Sequence, residues 1–367
     1  MHTAASSEAD FAIVQRTGLS DNVTWWHGVK RPCAESVVGT LAHMKTVVFG
    51  AAGFVGVNVA QALAARGYAL QLIDRDAPPE AVRAALPGAR WLQGDVRDAD
   101  FLQRAIEPGT ECIVWGAALT ADAARDLAEP DAILSVNVSA LAAVLRIGRE
   151  RGVRRIVNLG SGSAFGEAAF RARALEEDDP APDPRSLYSL SKFAGERLCA
   201  RYAGLSGLSI VTLRLSSVFG PWERMTGARD TPSPFMHLMM LAERGEDARL
   251  PRAVLRDWLY APDAGTAVAR VLEAQTLSHG LYHVGPGEAH TVLTWGEALA
   301  ARRPGWHCRI AAAGEAPNVD PQGERDRAPL AVARIAADTG FRTSYPVQAS
   351  VEHLDAWARA HPGWFRA

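Results

Sequence analysis

Thr46-Val47-Val48-Phe49-Gly50-Ala51-Ala52-Gly53-Phe54-Val55-Gly56 decides the fold of this chain. Its first four residues read as a buried strand, and three glycines at GxxGxxG spacing follow at once. Glycines in such a turn let backbone N–H groups approach a pyrophosphate, and the N-terminus of the next helix adds favourable potential for the anion. Val57 to Arg66 reads as that helix, stopped by Gly67, and Ala69 to Ile73 as a second strand closed by Asp74. A carboxylate there accepts hydrogen bonds from both hydroxyls of an adenine ribose and repels a 2′-phosphate. The pattern therefore favours NAD over NADP, with Arg75 next door as the one cation that fits a 2′-phosphate.

Strand and helix signals keep alternating downstream. Trp91-Leu92-Gln93 is a short strand ahead of Gly94-Asp95, and Cys112 to Trp115 is the next. Ile133 to Arg151 reads as a long amphipathic helix, Arg155 to Leu159 as a strand, and about Tyr188 to Tyr202 as a helix. Ser209 to Leu215 and Leu281 to Val284 are further strands, with a helical stretch at Leu259 to Gln275. This order predicts an α/β fold, a Rossmann-type doubly wound parallel sheet with a smaller mixed C-terminal substrate lobe. The predicted nucleotide-binding domain is 44–220, with 255–285 returning to it. Residues 221–254 and 286–367 form the predicted substrate lobe. Residues 1–43 lack periodicity and read as a flexible extension outside the core. The alternative is a packed arm anchored by Trp25 and Trp26.

The 367 residues are 48% apolar and 22% charged, with a formal net charge of -2. That balance argues against a nucleic-acid partner or a basic membrane patch. The cysteines, Cys33, Cys112, Cys199 and Cys308, form no CxxC pair, so neither a zinc site nor a disulfide framework is indicated, and a cytoplasmic location is expected. No apolar stretch reads as long enough to span a bilayer, and no metal is expected. Glu176-Glu177-Asp178-Asp179 reads as a solvated loop rather than a metal site.

Behind the glycine turn, Tyr188-Ser189-Leu190-Ser191-Lys192 gains meaning. Tyr188 and Lys192 share a helix face. A free tyrosine holds its proton up to a pH of about 10, and a nearby ammonium favours the phenolate. Such a tyrosine can remove a hydroxyl proton as hydride leaves the same carbon, or donate it in reverse. Ser161 follows a strand, where open α/β sheets place their ligands, and supplies a hydroxyl to hold the reacting oxygen; Ser163 is its neighbour. Asp95 can meet the adenine or simply close its strand. Arg224 and Arg229, in the irregular region after Pro221, can clamp a carboxylate or phosphate, or stay solvated.

These residues resemble the extended short-chain dehydrogenase/reductase family, the NAD-dependent epimerase/dehydratase group. The resemblance covers about residues 44 to 360. It is carried by Gly50 to Gly56, Asp74, Gly94-Asp95-Val96, Trp115-Gly116-Ala117-Ala118, Val136-Asn137-Val138, Ser161 to Gly166, Tyr188 to Lys192, Arg214 to Pro221, Arg256-Asp257-Trp258 and Tyr282 to Gly285. It implies Ser161, Tyr188 and Lys192 as the catalytic set. It implies an NAD pocket from Gly50, Gly53, Phe54, Val55, Gly56, Asp74, Asp95, Val96, Ala117, Asn137 and Val218, with Tyr188 and Lys192 reaching the cofactor. Arg256 falls where nucleotide-sugar members contact substrate phosphates, and Ser217 where they often carry Asn; Ser163, Arg224 and Arg229 complete the expected substrate side.

Two departures shape the expectation. The 4,6-dehydratases carry an Asp-Glu pair where this chain has Gly162-Ser163, which argues against dehydration. The Arg-x-Gly-Asp segment that helps bind a diphosphate is replaced by Pro321-Gln322-Gly323-Glu324-Arg325-Asp326. The expectation is thus an NAD-dependent oxidoreductase on a sugar or sugar-derived hydroxyl, tilted toward a dehydrogenase. The alternatives are a nucleotide-sugar epimerase of the UDP-glucose 4-epimerase type and a non-catalytic NAD-binding regulator. By resemblance a homodimer is expected, through helices 133–151 and 188–202.

Overall fold

The computed structural model describes residues 44–228 and 231–366. The expected N-terminal extension and its Trp25–Trp26 anchor lie outside the described residues. The elements run β1 (Lys45–Phe49), α1 (Phe54–Ala64), β2 (Ala69–Asp74), α2 (Glu80–Ala84), β3 (Arg90–Gln93), α3 (Ala99–Ala105), β4 (Cys112–Trp115), α4 (Ala123–Ala128), α5 (Pro130–Leu134), α6 (Ala140–Glu150) and β5 (Arg155–Ser161). Then follow α7 (Leu187–Ser206), β6 (Ser209–Leu215), β7 (Ser217–Phe219), α8 (Pro234–Arg244), β8 (Ala248–Leu250), β9 (Leu255–Arg256), β10 (Trp258–Tyr260) and α9 (Ala261–Glu273). The chain closes with β11 (Leu281–Val284), β12 (His290–Thr291), α10 (Val292–Ala300), β13 (Cys308–Ile310), α11 (Ala333–Thr339) and α12 (Val347–Ala360).

Seven strands form a parallel sheet in the order β11-β6-β5-β4-β1-β2-β3. The order reverses between β1 and β4, so a crevice opens beyond their C-terminal ends, where such sheets bind ligands. Near-continuous apolar strands such as Val47-Val48-Phe49 are buried on both faces, as a sheet covered by helices requires. One face packs α1 and α9 through Val57, Leu63, Val268 and Leu272. The other packs α3, α6 and α7 through Phe101, Val144, Ile147 and Cys199. A separate aromatic-rich cluster, centred on Phe235, Trp258 and Trp295, joins α8, α10 and α12.

Several elements differ from the sequence expectation. The long helix starts at Pro130 rather than Ile133 and contains a π-turn, Ser135–Ser139, closed by Ala140 N–H donating to Ser135 O. That 21-residue rod, Pro130–Glu150, is long and apolar enough by composition to cross a bilayer, contrary to expectation, but half of its apolar window is buried inside the protein. Leu259 opens no helix: Trp258–Tyr260 pairs with β7, and the helix starts directly after it at Ala261, with Pro262 in its first turn. Helix α7 runs on to Ser206 and stops at Gly207, whose φ of 69° permits a left-handed cap. The acidic run is only partly solvated, since Glu177 is buried and accepts a hydrogen bond from His283 N.

Candidate active site

The glycine turn is built by close approach. A Cβ on Gly56 would stand 2.0 Å from Gly50 O, and one on Gly50, where φ is +71°, would stand 2.7 Å from the Gly116 and Ala117 backbone. Neither position tolerates a side chain. Helix α1 follows with Gly53 as its N-cap and no side-chain cap, so the positive end of its dipole opens at the glycine turn, where an anion is favoured. Asp74 ends β2 and reaches back to this turn, accepting Ala52 N at 2.9 Å and Asp76 N at 3.2 Å. Burial holds its carboxyl above the ordinary range, opposed by those two backbone donors. Each oxygen keeps a lone pair for a ribose hydroxyl. The residues present therefore fit a dinucleotide.

The flanking residues fall on the same edge with different roles. Val96 is buried in the core and Ala117 packs against the same cluster. Val218 sits in β7 opposite Leu259. The Asp95 carboxylate is held by Arg97 at 2.6 Å, which lowers its proton affinity. The Asn137 amide accepts from Leu119 N and donates to Leu119 O and Ser191 Oγ, all within 3.1 Å, which fixes the loop after β4 against α7. Arg75 pairs with Asp76, not with Asp74.

The catalytic candidates lie on β5 and α7, which pack against each other. Ser161 is the last residue of β5, not a loop residue. Its Oγ accepts Ser163 N at 3.1 Å, which leaves its own O–H free to donate. Ser163 Oγ is buried and finds no partner among the described residues. Tyr188 stands in the first turn of α7, fixed by a capping box between Ser186 and Ser189. Lys192 Nζ donates to Leu159 O at 2.9 Å and lies 5.7 Å from the Tyr188 ring centroid. The same α7 face carries Glu196, whose carboxylate takes a two-pronged grip from the buried Arg214 at 2.5 and 2.7 Å. Arg214 also donates to Glu177 O and lies 4.5 Å over the Phe165 ring. His283 completes this cluster. Burial, then the Arg214 charge, pushes its pKa down to about 3. Neutral and 3.1 Å from Ala331 O, it must carry its proton on Nδ1, leaving Nε2 to face Arg214 at 3.4 Å. The spacing analysis missed Glu196 and Arg214 as a pair; an arginine inside the apolar run Ile210 to Leu215 was the signal for a buried partner.

On the substrate side, Ser217 Oγ accepts from both Arg256 Nη1 and Arg327 Nη2 at 3.2 Å. Arg327 was not foreseen. Its Nη2 lies 3.6 Å from where a Gly162 Cβ would be, directly beside the Ser161 segment. Arg256 stacks 5.0 Å over Trp258, and burial, then the Arg327 charge, pushes its pKa down to about 9. The Nε atoms of Arg252, Arg256 and Arg327 are all buried without a partner among the described residues, as are Trp258 Nε1 and His290 Nε2. His290 pairs with Arg256 in the β9–β12 ladder. Asp257, fully buried, pairs with Arg327 at 3.5 Å and also offsets the charge of Arg256. The partnerless Nε–H groups of Arg256 and Arg327, on either side of Ser217 Oγ, are donors of the kind an anion accepts from. Arg224 lies elsewhere: its Nη2 donates to Ala52 O at 3.0 Å, on the glycine turn rather than the substrate side. Arg229 falls outside the described residues. Among the described residues no group of three His, Cys, Asp or Glu side chains gathers to hold a metal.

Residues 46–285 match the family model of the NAD dependent epimerase/dehydratase family. A UDP-glucuronate 4-epimerase of Arabidopsis thaliana is 30% identical over 214 residues, which is 54% of this chain and 49% of that protein. The chain thus spans about half the length of such plant relatives. The structure of MoeE5 in complex with UDP-glucuronic acid and NAD aligns with a TM-score of 0.68 and 24% identity, covering 87% of this chain and all (100%) of that one. The UDP-glucose 4-epimerase of Thermotoga maritima, solved with UDP-glucose, aligns at 0.71 and 19% identity, covering 86% and 99%. These two likenesses show the fold. The family match, with the glycine turn and the Tyr188–Lys192 helix inside it, establishes that the chain belongs to the NAD-dependent epimerase/dehydratase family.

Proposed function

We propose that this protein is an NAD-dependent nucleotide-sugar epimerase. The carrying observation is the pair Arg256 and Arg327, which share Ser217 Oγ while each keeps a buried Nε without a partner, beside the Ser161 segment. A nucleoside diphosphate has the charge and the acceptor oxygens that these donors lack. The tilt toward a dehydrogenase rested on the missing Arg-x-Gly-Asp segment, and Arg327 supplies a cation that the segment's spacing did not reveal. The UDP-sugar 4-epimerases among its relatives favour a UDP-hexose or UDP-uronate as substrate.

In this reading Ser161 donates its hydroxyl proton in a hydrogen bond to the reacting sugar oxygen. Tyr188 takes the proton of the sugar's own hydroxyl as hydride leaves the same carbon, and later returns it to that oxygen. Lys192, braced on Leu159 O, holds its charge near the Tyr188 ring throughout. Bound NAD supplies the hydride acceptor and then the donor. Gly162 and Ser163 offer no acid–base pair for eliminating water, so the sugar is turned over rather than dehydrated.

The test is incubation of the purified protein with UDP-glucose and with UDP-glucuronate, without added NAD, followed by proton NMR of the sugar. Interconversion of C4 epimers without net NADH is expected. NADH accumulating in proportion to product, only when NAD is added, would establish a dehydrogenase instead. Arg256→Ala should raise the KM for the UDP-sugar by about 10- to 100-fold, the cost of one charged hydrogen-bonding partner, and change kcat far less. Steady-state kinetics on the same substrate checks this.

A further inference from the structure

We propose that Arg224 binds the pyrophosphate of the dinucleotide and that residues 221–224 form a clasp that retains the cofactor. The segment leaves β7 and turns back over α1 and the glycine turn. Three hydrogen bonds hold it there: Asn58 Nδ2 to Pro221 O at 3.0 Å, Trp222 Nε1 to Gln61 Oε1 at 2.9 Å, and Arg224 Nη2 to Ala52 O at 3.0 Å. The return is sharp because Trp222 adopts φ 69°, a left-handed conformation rarely taken by a large side chain. The C-terminal segment enforces it. Trp357, His361 and Trp364 surround the Trp222 ring at 5.0, 5.0 and 5.3 Å between centroids, and Trp364 Nε1 donates to Glu223 O at 2.9 Å.

This geometry leaves Arg224 as a half-buried guanidinium that makes no ion pair within 4.0 Å among the described residues. Ala52 O occupies one Nη and holds the guanidinium at the glycine turn. Asp74 and Asp76 are the negative charges that act on it, and burial outweighs them, lowering its proton affinity. The counter-charge it lacks is an anion on the glycine turn. The uncapped N-terminus of α1 and the side-chain-free cradle of Gly50 and Gly56 make the same demand at the same place. A pyrophosphate meets both. The clasp comes from outside the β1-α1-β2 unit, so the cofactor would be covered by a segment that must lift before it leaves. Retention through a catalytic cycle rests on the epimerase reading; the contact itself requires only dinucleotide binding.

The experiment is to denature purified wild type, Arg224→Ala, Arg224→Lys and Trp364→Phe, quantify released NAD per chain, and measure NAD dissociation rates and titration affinities on stripped protein. Circular dichroism and thermal melting establish that each variant is folded. Arg224→Ala should release NAD about 10- to 100-fold faster than wild type, the effect of one charge-assisted contact. Arg224→Lys should recover part of the loss, and Trp364→Phe should show a smaller acceleration, since it acts only through the backbone of Glu223. Unchanged NAD release in folded Arg224→Ala overturns the proposal. So does a loss confined to NADP, which would make Arg224 a reader of the 2′ position, or one confined to UDP-sugar binding. If wild type retains no nucleotide, the epimerase reading fails, and a weaker NAD titration in Arg224→Ala still supports the contact.

Discussion

Tyr188→Phe should lower kcat by about 10²- to 10⁴-fold, the range for removing a positioned acid–base group, while leaving NAD and UDP-sugar binding close to wild type. The substitution deletes one oxygen from a side chain at the open end of α7 and leaves its ring in place. The capping box of Ser186 and Ser189 that fixes this turn does not involve the phenol, nor does the Lys192 bond to Leu159 O. Ser161 can still hold the sugar oxygen, but no group remains to take its proton. Single-turnover NMR of the UDP-sugar, paired with the NAD content of the variant, separates the loss of chemistry from a loss of binding. Turnover within tenfold of wild type would remove Tyr188 from the proton path.

Glu196→Ala should destabilise the fold by about 3–5 kcal/mol, because it strands a buried guanidinium. Arg214 is only 2% exposed, and Glu196 accepts both of its shortest hydrogen bonds. Neutral His283 cannot replace the lost charge. The same change unties α7 from β6, so kcat should fall with little change in KM as Tyr188 and Lys192 lose their alignment. Urea unfolding measures the first effect and steady-state kinetics the second. A double replacement, Glu196→Met with Arg214→Met, should recover most of the stability, since removing both charges leaves nothing uncompensated. Equal instability in the single and double variants would mean that packing, not charge, dominates.

The parts legible in the sequence were those written locally. The glycine turn, Asp74 and the Tyr188–Lys192 spacing each lie within one strand-turn-helix unit or one helix, where periodicity and turn chemistry fix geometry. The sheet followed from the alternation of apolar runs and helices. Ser217 and Arg256 were legible through the family resemblance, but Arg327 was not, because it comes from a separate segment that meets them only after folding. A gap in one expected motif therefore said nothing of the arginine that folding brings beside Ser217 from elsewhere in the chain. The sequence pattern singled out Asn137 but could not show that its amide ties Leu119 to Ser191, since those partners lie far from it in sequence. Glu177 looked solvated because three acids flank it, yet His283 N and Arg334 draw it inside.

The π-turn at Ser135–Ser139 makes one rod serve two masters. A regular helix rotates by about 100° per residue, so the apolar stripe that seats Val144 and Ile147 on the sheet also dictates the bearing of every residue before it. Had that pitch continued backwards unbroken, Asn137 would be rotated off its present bearing, where its amide reaches Leu119 and Ser191 together. The wide turn is a phase shifter: it absorbs one residue's rotation, so the rear half keeps time with the sheet while the front half keeps time with the catalytic helix. A deletion of one residue there would leave the rod straight and just as apolar, but only one end at a time would be in register.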